Sequence, residues 1–147
     1  MIIRESMEQD YDRLVDIWLQ ASIQSHYFVK KQYWESMSVD MKEKYLPMAK
    51  THIVQNHGMI VGFISLIDDY LAALFIDVNY QRRGYGKILL DFAKGQLHFI
   101  NLKVYQKNID SVLFYLKNDF VILRQLIDEE TDEKEYMMIW RKHMERQ

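Results

Sequence analysis

A chain of 147 residues has the size of one ordinary domain, and 19 Lys and Arg against 21 Asp and Glu leave it at a net charge of −2. That balance excludes the strongly basic surface that sequence-independent nucleic-acid binding needs. The composition, 49% apolar and 14% aromatic, suits a sizeable core, and the absence of cysteine excludes disulfides, a thiolate nucleophile and cysteine-ligated metal centres. No apolar run is long enough to span a membrane, and Met1-Ile2-Ile3-Arg4 opens without the apolar stretch of a secretory leader, so the expectation is one cytoplasmic domain over 1–147 with no membrane partner.

Met1–Glu5 reads as a short strand. Ser6 with Gln9 three residues on has the capping-box spacing and opens a helix with Leu14, Val15, Trp18 and Leu19 on one face. Residues 22–50 lack a clean period and hold His26, Tyr27, Phe28, Tyr33 and Trp34, with short helices expected to break before Pro47. Thr51–Gln55 and Met59–Ile67 flank the turn Asn56-His57-Gly58, and Asp68-Asp69 turns the chain again. Leu71–Ile76 is a continuous apolar run, the pattern of a central strand covered on both faces. Tyr85–Leu97 carries one apolar stripe and reads as a helix, Asn101–Tyr105 alternates as a strand does, and Ile109–Lys117 is a helix with Val112, Leu113 and Leu116 inward. Phe120–Ile127 and Glu135–Trp140 are two strands around the acidic run Asp128–Glu133, a solvated hairpin tip. The order β-α-α-β-β-β-α-β-α-β-β predicts an α+β, or mixed α/β, domain around one sheet.

The strongest chemical signal is Gln81-Arg82-Arg83-Gly84-Tyr85-Gly86-Lys87, between the apolar strand and an amphipathic helix. Glycines let a backbone approach a ligand closely, and a helix start points unpaired N–H groups and a partial positive charge outward, so the segment suits a pyrophosphate. Two nucleotide readings fail. A P-loop needs Ser or Thr after Lys87, where Ile88 stands, and a dinucleotide fingerprint needs a third small residue where Leu89 stands.

The segment resembles the Q/R-x-x-G-x-G/A coenzyme-A motif of the GNAT superfamily of N-acetyltransferases, with Gln81, Gly84 and Gly86 at the fixed positions. Leu71–Val78 and Asn101–Tyr105 resemble that superfamily's fourth and fifth strands. Asn108, Ser111, Phe114-Tyr115 and Phe120 resemble its distal motif, with Asn79 replacing a common proline and Asp119 a common glycine. The N-terminal helical segment is similar to that of small bacterial protein and peptide N-acetyltransferases. The resemblance implies a strongly bent mixed sheet flanked by helices, and direct transfer from acetyl-coenzyme A to an amine in a ternary complex.

By that resemblance Tyr115 is the general acid for the departing thiolate, and the Ile76 backbone amide polarises the thioester carbonyl. Phe75, Ile76, Val78, Gln81, Arg82, Arg83, Gly84, Tyr85, Gly86, Lys87 and Asn108 bind the co-substrate, Asn108 also capping its helix. Trp18, His26, Tyr33 and Trp34 are the candidates for the acceptor pocket. His26, Asp77 or a water chain can serve as base. No histidine has metal-ligand spacing. The acceptor, an amine on a small molecule, peptide or protein, and the oligomeric state are not written in the sequence. Two alternatives stay open: a non-catalytic acyl-coenzyme-A sensor, which would not need Tyr115, and a transferase acting on charged transfer RNA, which the net charge disfavours.

Overall fold

The computed structural model describes residues 1–143. Among these residues seven strands form one sheet in the order β1-β2-β3-β4-β5-β7-β6. They are β1 (Ile2–Glu5), β2 (Lys50–Asn56), β3 (Met59–Ile67), β4 (Tyr70–Ile76), β5 (Phe99–Tyr105), β6 (Val121–Ile127) and β7 (Lys134–Arg141). All neighbours are antiparallel except β4 and β5. The helices are α1 (Tyr11–Ser25), α2 (Lys31–Ser36), α3 (Ser38–Asp40), α4 (Leu46–Met48), α5 (Tyr85–Gln96) and α6 (Ile109–Lys117). The predicted elements from β2 onward match in order, whereas between β1 and β2 the second expected helix is a series of short segments, α2 to α4. Among the described residues no helix is long and apolar enough to cross a membrane.

Strand alternation sends side chains to two cores, one on each face of the sheet. On one face Leu14, Ile17 and Trp18 of α1 pack on Ile53, Phe63 and Ala73. On the other, Leu89, Leu90 and Ala93 of α5 pack on Val54, Val61, Ile64, Leu102 and Met138. Leu14 and Phe63 are fully buried, so truncating either to Ala would cost about 2–5 kcal/mol. The β2–β3 hairpin turns through His57 and Gly58, both left-handed at φ 52° and 76°.

The structure departs from the sequence-based expectations in four places. The first helix is not capped by Ser6. Instead, the Asp10 carboxylate accepts from the Met7 N–H at 2.8 Å, and a 3-10 turn over Glu8–Asp10 precedes α1. The Arg4 guanidinium, reaching from β1, holds that carboxylate at 2.8 and 3.1 Å and keeps its pKa below the usual range. The helical run does not break before Pro47 but passes through it. A π-helical stretch over Met41–Tyr45 leads into α4, where proline stands in the first turn and its missing N–H is tolerated. In α6 the inward residues are Val112 and Tyr115, while Leu113 and Leu116 face outward. Finally, β4 is central but not covered along its length. Leu71 and Ala73 are buried, Ala72 is exposed, and Leu74, Phe75 and Ile76 are half-buried. An opening in the sheet causes this.

Candidate active site

The loop from β4 to α5 is held by its own polar groups. The Asp77 carboxylate accepts from the Asn79 N–H at 2.8 Å and from Arg13 of α1 at 2.5 Å. Burial alone would raise the Asp77 pKa, but these partners hold it below the ordinary carboxylate value. Gln81 donates its side-chain amide to the Ile76 carbonyl at 3.1 Å. The chain then takes a left-handed conformation at Arg82 (φ 63°) and at Gly84 (φ 90°), the residue that caps α5. At Gly84 any side chain would be strained. At Gly86 a side chain would meet only the Phe114 ring at 3.4 Å, so the fold itself does not demand glycine there. The backbone at the start of α5 is bare, with Arg82, Arg83 and Lys87 exposed around it. Arg83 lies over the Tyr80 ring, Lys87 pairs with Asp91, and Arg82 stands 3.8 Å from Asp110. Tyr85 and Val78 are half-buried, Tyr85 against the α5-side core.

The sheet opens between β4 and β5, which pair only at Tyr70 and Asn101. On its other edge β4 pairs with β3 in a register that joins Phe63 to Phe75 and Gly62 to Ile76, and the Asp77 N–H bonds the Val61 carbonyl. Hydrogen-bonded and non-hydrogen-bonded pairs alternate along an antiparallel ladder. The N–H groups of Leu74 and Ile76 therefore point away from β3, into the opening, where they have no ladder partner. The register slips between Ser65 and Leu66, which leaves Ala72 as an extra, unpaired residue in β4. Gly62 is required opposite Ile76, because a Cβ there would come within 2.5 Å of the Ile76 side chain and 2.9 Å of the Phe75 carbonyl oxygen.

The opening is a cleft of about 220 Å³. Ala72–Phe75 line one wall, Leu102–Tyr105 the other, and Asn108, Ser111 and Tyr115 of the α6 segment close one end. Tyr115 is buried, which raises its pKa above the ordinary phenol value; the Tyr70 hydroxyl adds to this. It therefore stays protonated, a donor at neutral pH. Asn108 caps α6 by accepting from the Ser111 N–H, and its amide nitrogen lies 3.2 Å from His26 Nε2. Asp119 adopts the left-handed conformation (φ 72°) that a glycine would otherwise supply, and Phe120 is buried behind Tyr115.

The residues expected on the acceptor side fall into two groups. Trp18, His26 and Trp34 line the cleft and, with Tyr105, form an aromatic cluster in which Trp18 and Trp34 meet edge-to-face, as do His26 and Tyr105, and His26 and Trp34 are tilted at 31°. Burial drops the His26 pKa to about 4, so the ring is neutral. With Nε2 accepting from Asn108, its proton sits on Nδ1, which is buried without a partner, as is Trp34 Nε1. Tyr33 lies outside this lining. Its hydroxyl donates to Glu130, joining α2 to the loop between β6 and β7. That acidic loop is anchored rather than freely solvated: the Tyr105 hydroxyl donates to Asp128 at 2.5 Å, and Lys107 pairs with Glu133 at 3.2 Å. Asp77 is not in the cleft and is occupied by Arg13.

The sequence reading missed two groups. Leu74 offers the same inward N–H as Ile76. Glu135, opposite Tyr105 in the β5–β7 ladder, lines the cleft. Burial, reinforced by the nearby Asp128 charge, raises its pKa. One expected signal was available for Leu74, since strand alternation pairs it with Ile76. None was available for Glu135, whose place depends on long-range register.

The unpaired amides of β4 and the bare, cation-flanked start of α5 fit an extended acyl thioester carrying a pyrophosphate. Comparison with known proteins agrees. Residues 47–122 match the acetyltransferase (GNAT) domain family. Over 140 residues the chain is 29% identical to the peptidyl-lysine N-acetyltransferase YiaC of Escherichia coli, covering 95% of this chain and 96% of that protein. It is 29% identical over 121 residues to the peptidyl-lysine N-acetyltransferase YjaB of the same organism, covering 82% of each. The solution structure of apo YjaB from Escherichia coli superposes with a TM-score of 0.84 at 24% identity, over 97% of this chain and 100% of that one.

Proposed function

Since this chain belongs to the GNAT family of acetyl-coenzyme-A-dependent N-acetyltransferases, we propose that its acceptor is a primary amine on a cationic peptide or protein, a lysine side chain above all. The observation that carries the reading is the opening between β4 and β5, toward which the free amides of Leu74 and Ile76 point and whose cleft Leu74, Tyr115 and Glu135 line beside an acidic loop. YiaC and YjaB, named as peptidyl-lysine N-acetyltransferases, support the same acceptor.

The co-substrate supplies an acyl group already activated as a thioester. In this reading the N–H groups around Gly84 and Gly86, with Arg82, Arg83 and Lys87, hold its phosphates. The Ile76 and Leu74 amides hold the arm and donate to the thioester oxygen where charge develops, an effect strengthened by the water-poor cleft. Phe75 packs on Phe63 and keeps β4 in place from the other side. Asp128, Glu130 and Glu135 attract the ammonium group, and Glu135 takes a proton from the amine as the C–N bond forms. Its raised pKa suits it to that task better than neutral His26, whose acceptor nitrogen is taken by Asn108. As the C–S bond breaks, Tyr115 gives its proton to the leaving thiolate. Trp18, His26 and Trp34 wall the cleft.

The test is thiol release from acetyl-coenzyme A in the presence of lysine peptides, polyamines and aminoglycosides, with mass spectrometry of the peptide product. Lysine acetylation with the largest kcat/KM is expected. Tight binding of acetyl-coenzyme A without turnover on any amine would instead favour a sensor.

A further inference from the structure

A second cavity, of about 320 Å³, lies on the α1 side of the sheet beyond the end of the cleft. Met37, Met41, Tyr45, Leu46 and Met48 form its outer wall and Ile67 and Tyr70 its floor. Among the described residues no charged side chain lines it. Its one small hydroxyl, on Ser65, is already bonded to Thr51 at 2.7 Å. Trp18, Ala72 and Ala73 line both this cavity and the cleft, so the two meet at the unpaired Ala72 and its small neighbour.

We propose that this cavity receives the hydrocarbon tail of acyl groups longer than acetyl, so that the protein also transfers short straight-chain acyl groups such as butyryl and hexanoyl. The inference rests on the reading of the cleft given above. Direction along β4 carries it. The phosphate-binding loop follows the C-terminal end of β4, so a thioester threaded from there meets Ile76 first, then Leu74. Whatever extends beyond its carbonyl arrives at Ala72 and Ala73, whose side chains toward the cavity are only methyl groups. Beyond them the wall is methionine-rich, and such side chains adapt to chains of different length. An apolar cavity of about 150 Å³ suffices to hold benzene, so the space is ample. The chemistry is unaltered: the C–N bond forms, the C–S bond breaks, the amine proton goes to Glu135 and the thiolate takes the proton of Tyr115.

The test uses the full chain with acetyl-, butyryl- and hexanoyl-coenzyme A. Affinity is measured by calorimetry without acceptor, and kcat/KM with one lysine peptide. Each buried methylene is expected to tighten binding about fourfold, the ratio that about 0.8 kcal/mol gives, so butyryl-coenzyme A, with two more methylenes, should bind roughly fifteenfold more tightly than acetyl-coenzyme A. Ala49, like Met37, lines the cavity, and two filling variants, Ala49→Phe and Met37→Trp, should abolish that preference and leave acetyl transfer near wild type. Melting temperatures establish that each is folded. Equal or weaker binding of the longer chains by wild type, with acetyl transfer intact, overturns the inference and spares the reading of the cleft. Filling variants that raise the peptide KM while the acyl preference stays would overturn it in favour of an acceptor side chain. Failure of every acyl-coenzyme A to bind would overturn both.

Discussion

The two sides of the cleft are built by different means. The β4–α5 side works through backbone: amides left unpaired by the opening of the sheet, a left-handed glycine, and a helix start. The opposite side works through side chains brought from far apart, with His26 of the α1 C-terminus against Asn108, Tyr33 against Glu130 and Tyr105 against Asp128. A backbone site tolerates many sequences and recognises what acyl thioesters share. A side-chain site is specified by particular residues and can be retuned for each acceptor. The division of labour between a common donor and a variable acceptor follows.

The largest expected effect strikes the backbone side. Gly86→Glu places a carboxylate where phosphate is to lie, against Phe114, and should leave no binding of acetyl-coenzyme A detectable by calorimetry on a folded protein. Unchanged affinity would remove the loop from the site. Next comes the donor at the junction of the two sides. Tyr115→Phe should lower kcat by roughly 10²–10⁴-fold while the affinity for acetyl-coenzyme A hardly moves, since the lost interaction belongs to the transition state. A wild-type kcat would take Tyr115 out of the mechanism.

On the side-chain side the effects should be smaller and confined to the acceptor. A base must be deprotonated, so activity should fall as pH drops through the pKa of Glu135. Because burial raises that pKa, the acidic limb of kcat/KM should stand above the ordinary carboxylate range, and Glu135→Gln should erase it. An identical limb in the variant would assign it elsewhere. The smallest effect is expected of Tyr33→Phe, which frees Glu130 without touching the cleft lining. It should raise the KM of a lysine peptide a few-fold and leave the acetyl-coenzyme A affinity unchanged. A variant that alters only the melting temperature would make the contact structural.

The same contrast explains what the sequence disclosed. Gln81–Gly86 and Asn108–Phe120 are each one short segment, so their residues stand at fixed spacing and the family likeness they carry could be read directly, as could the strands from hydrophobic period. The effect of Asp119 in place of a glycine was left open by the sequence; the backbone there keeps the left-handed conformation. Glu135 was not legible, because it enters the cleft only through the register of β7 on β5. The extra residue at Ala72 depends on how β4 sits against β3, and a run of apolar residues says nothing of a slip in pairing. Tyr33 reads from composition as one more aromatic of the wall. Its actual partner lies 97 residues away in the chain.

The opening beside β4 also writes a signature on the strand itself. A central strand ordinarily exchanges its amide hydrogens slowly along its whole length, because both edges are paired. Here alternate amides differ: those of Ala73 and Phe75 are spent on β3, whereas those of Leu74 and Ile76 face the gap. The strand should therefore exchange with a period of two, slow and fast by turns, in the middle of an otherwise protected sheet. Filling the gap with a ligand that completes the ladder would silence that alternation and report occupancy one amide at a time, without any need for turnover.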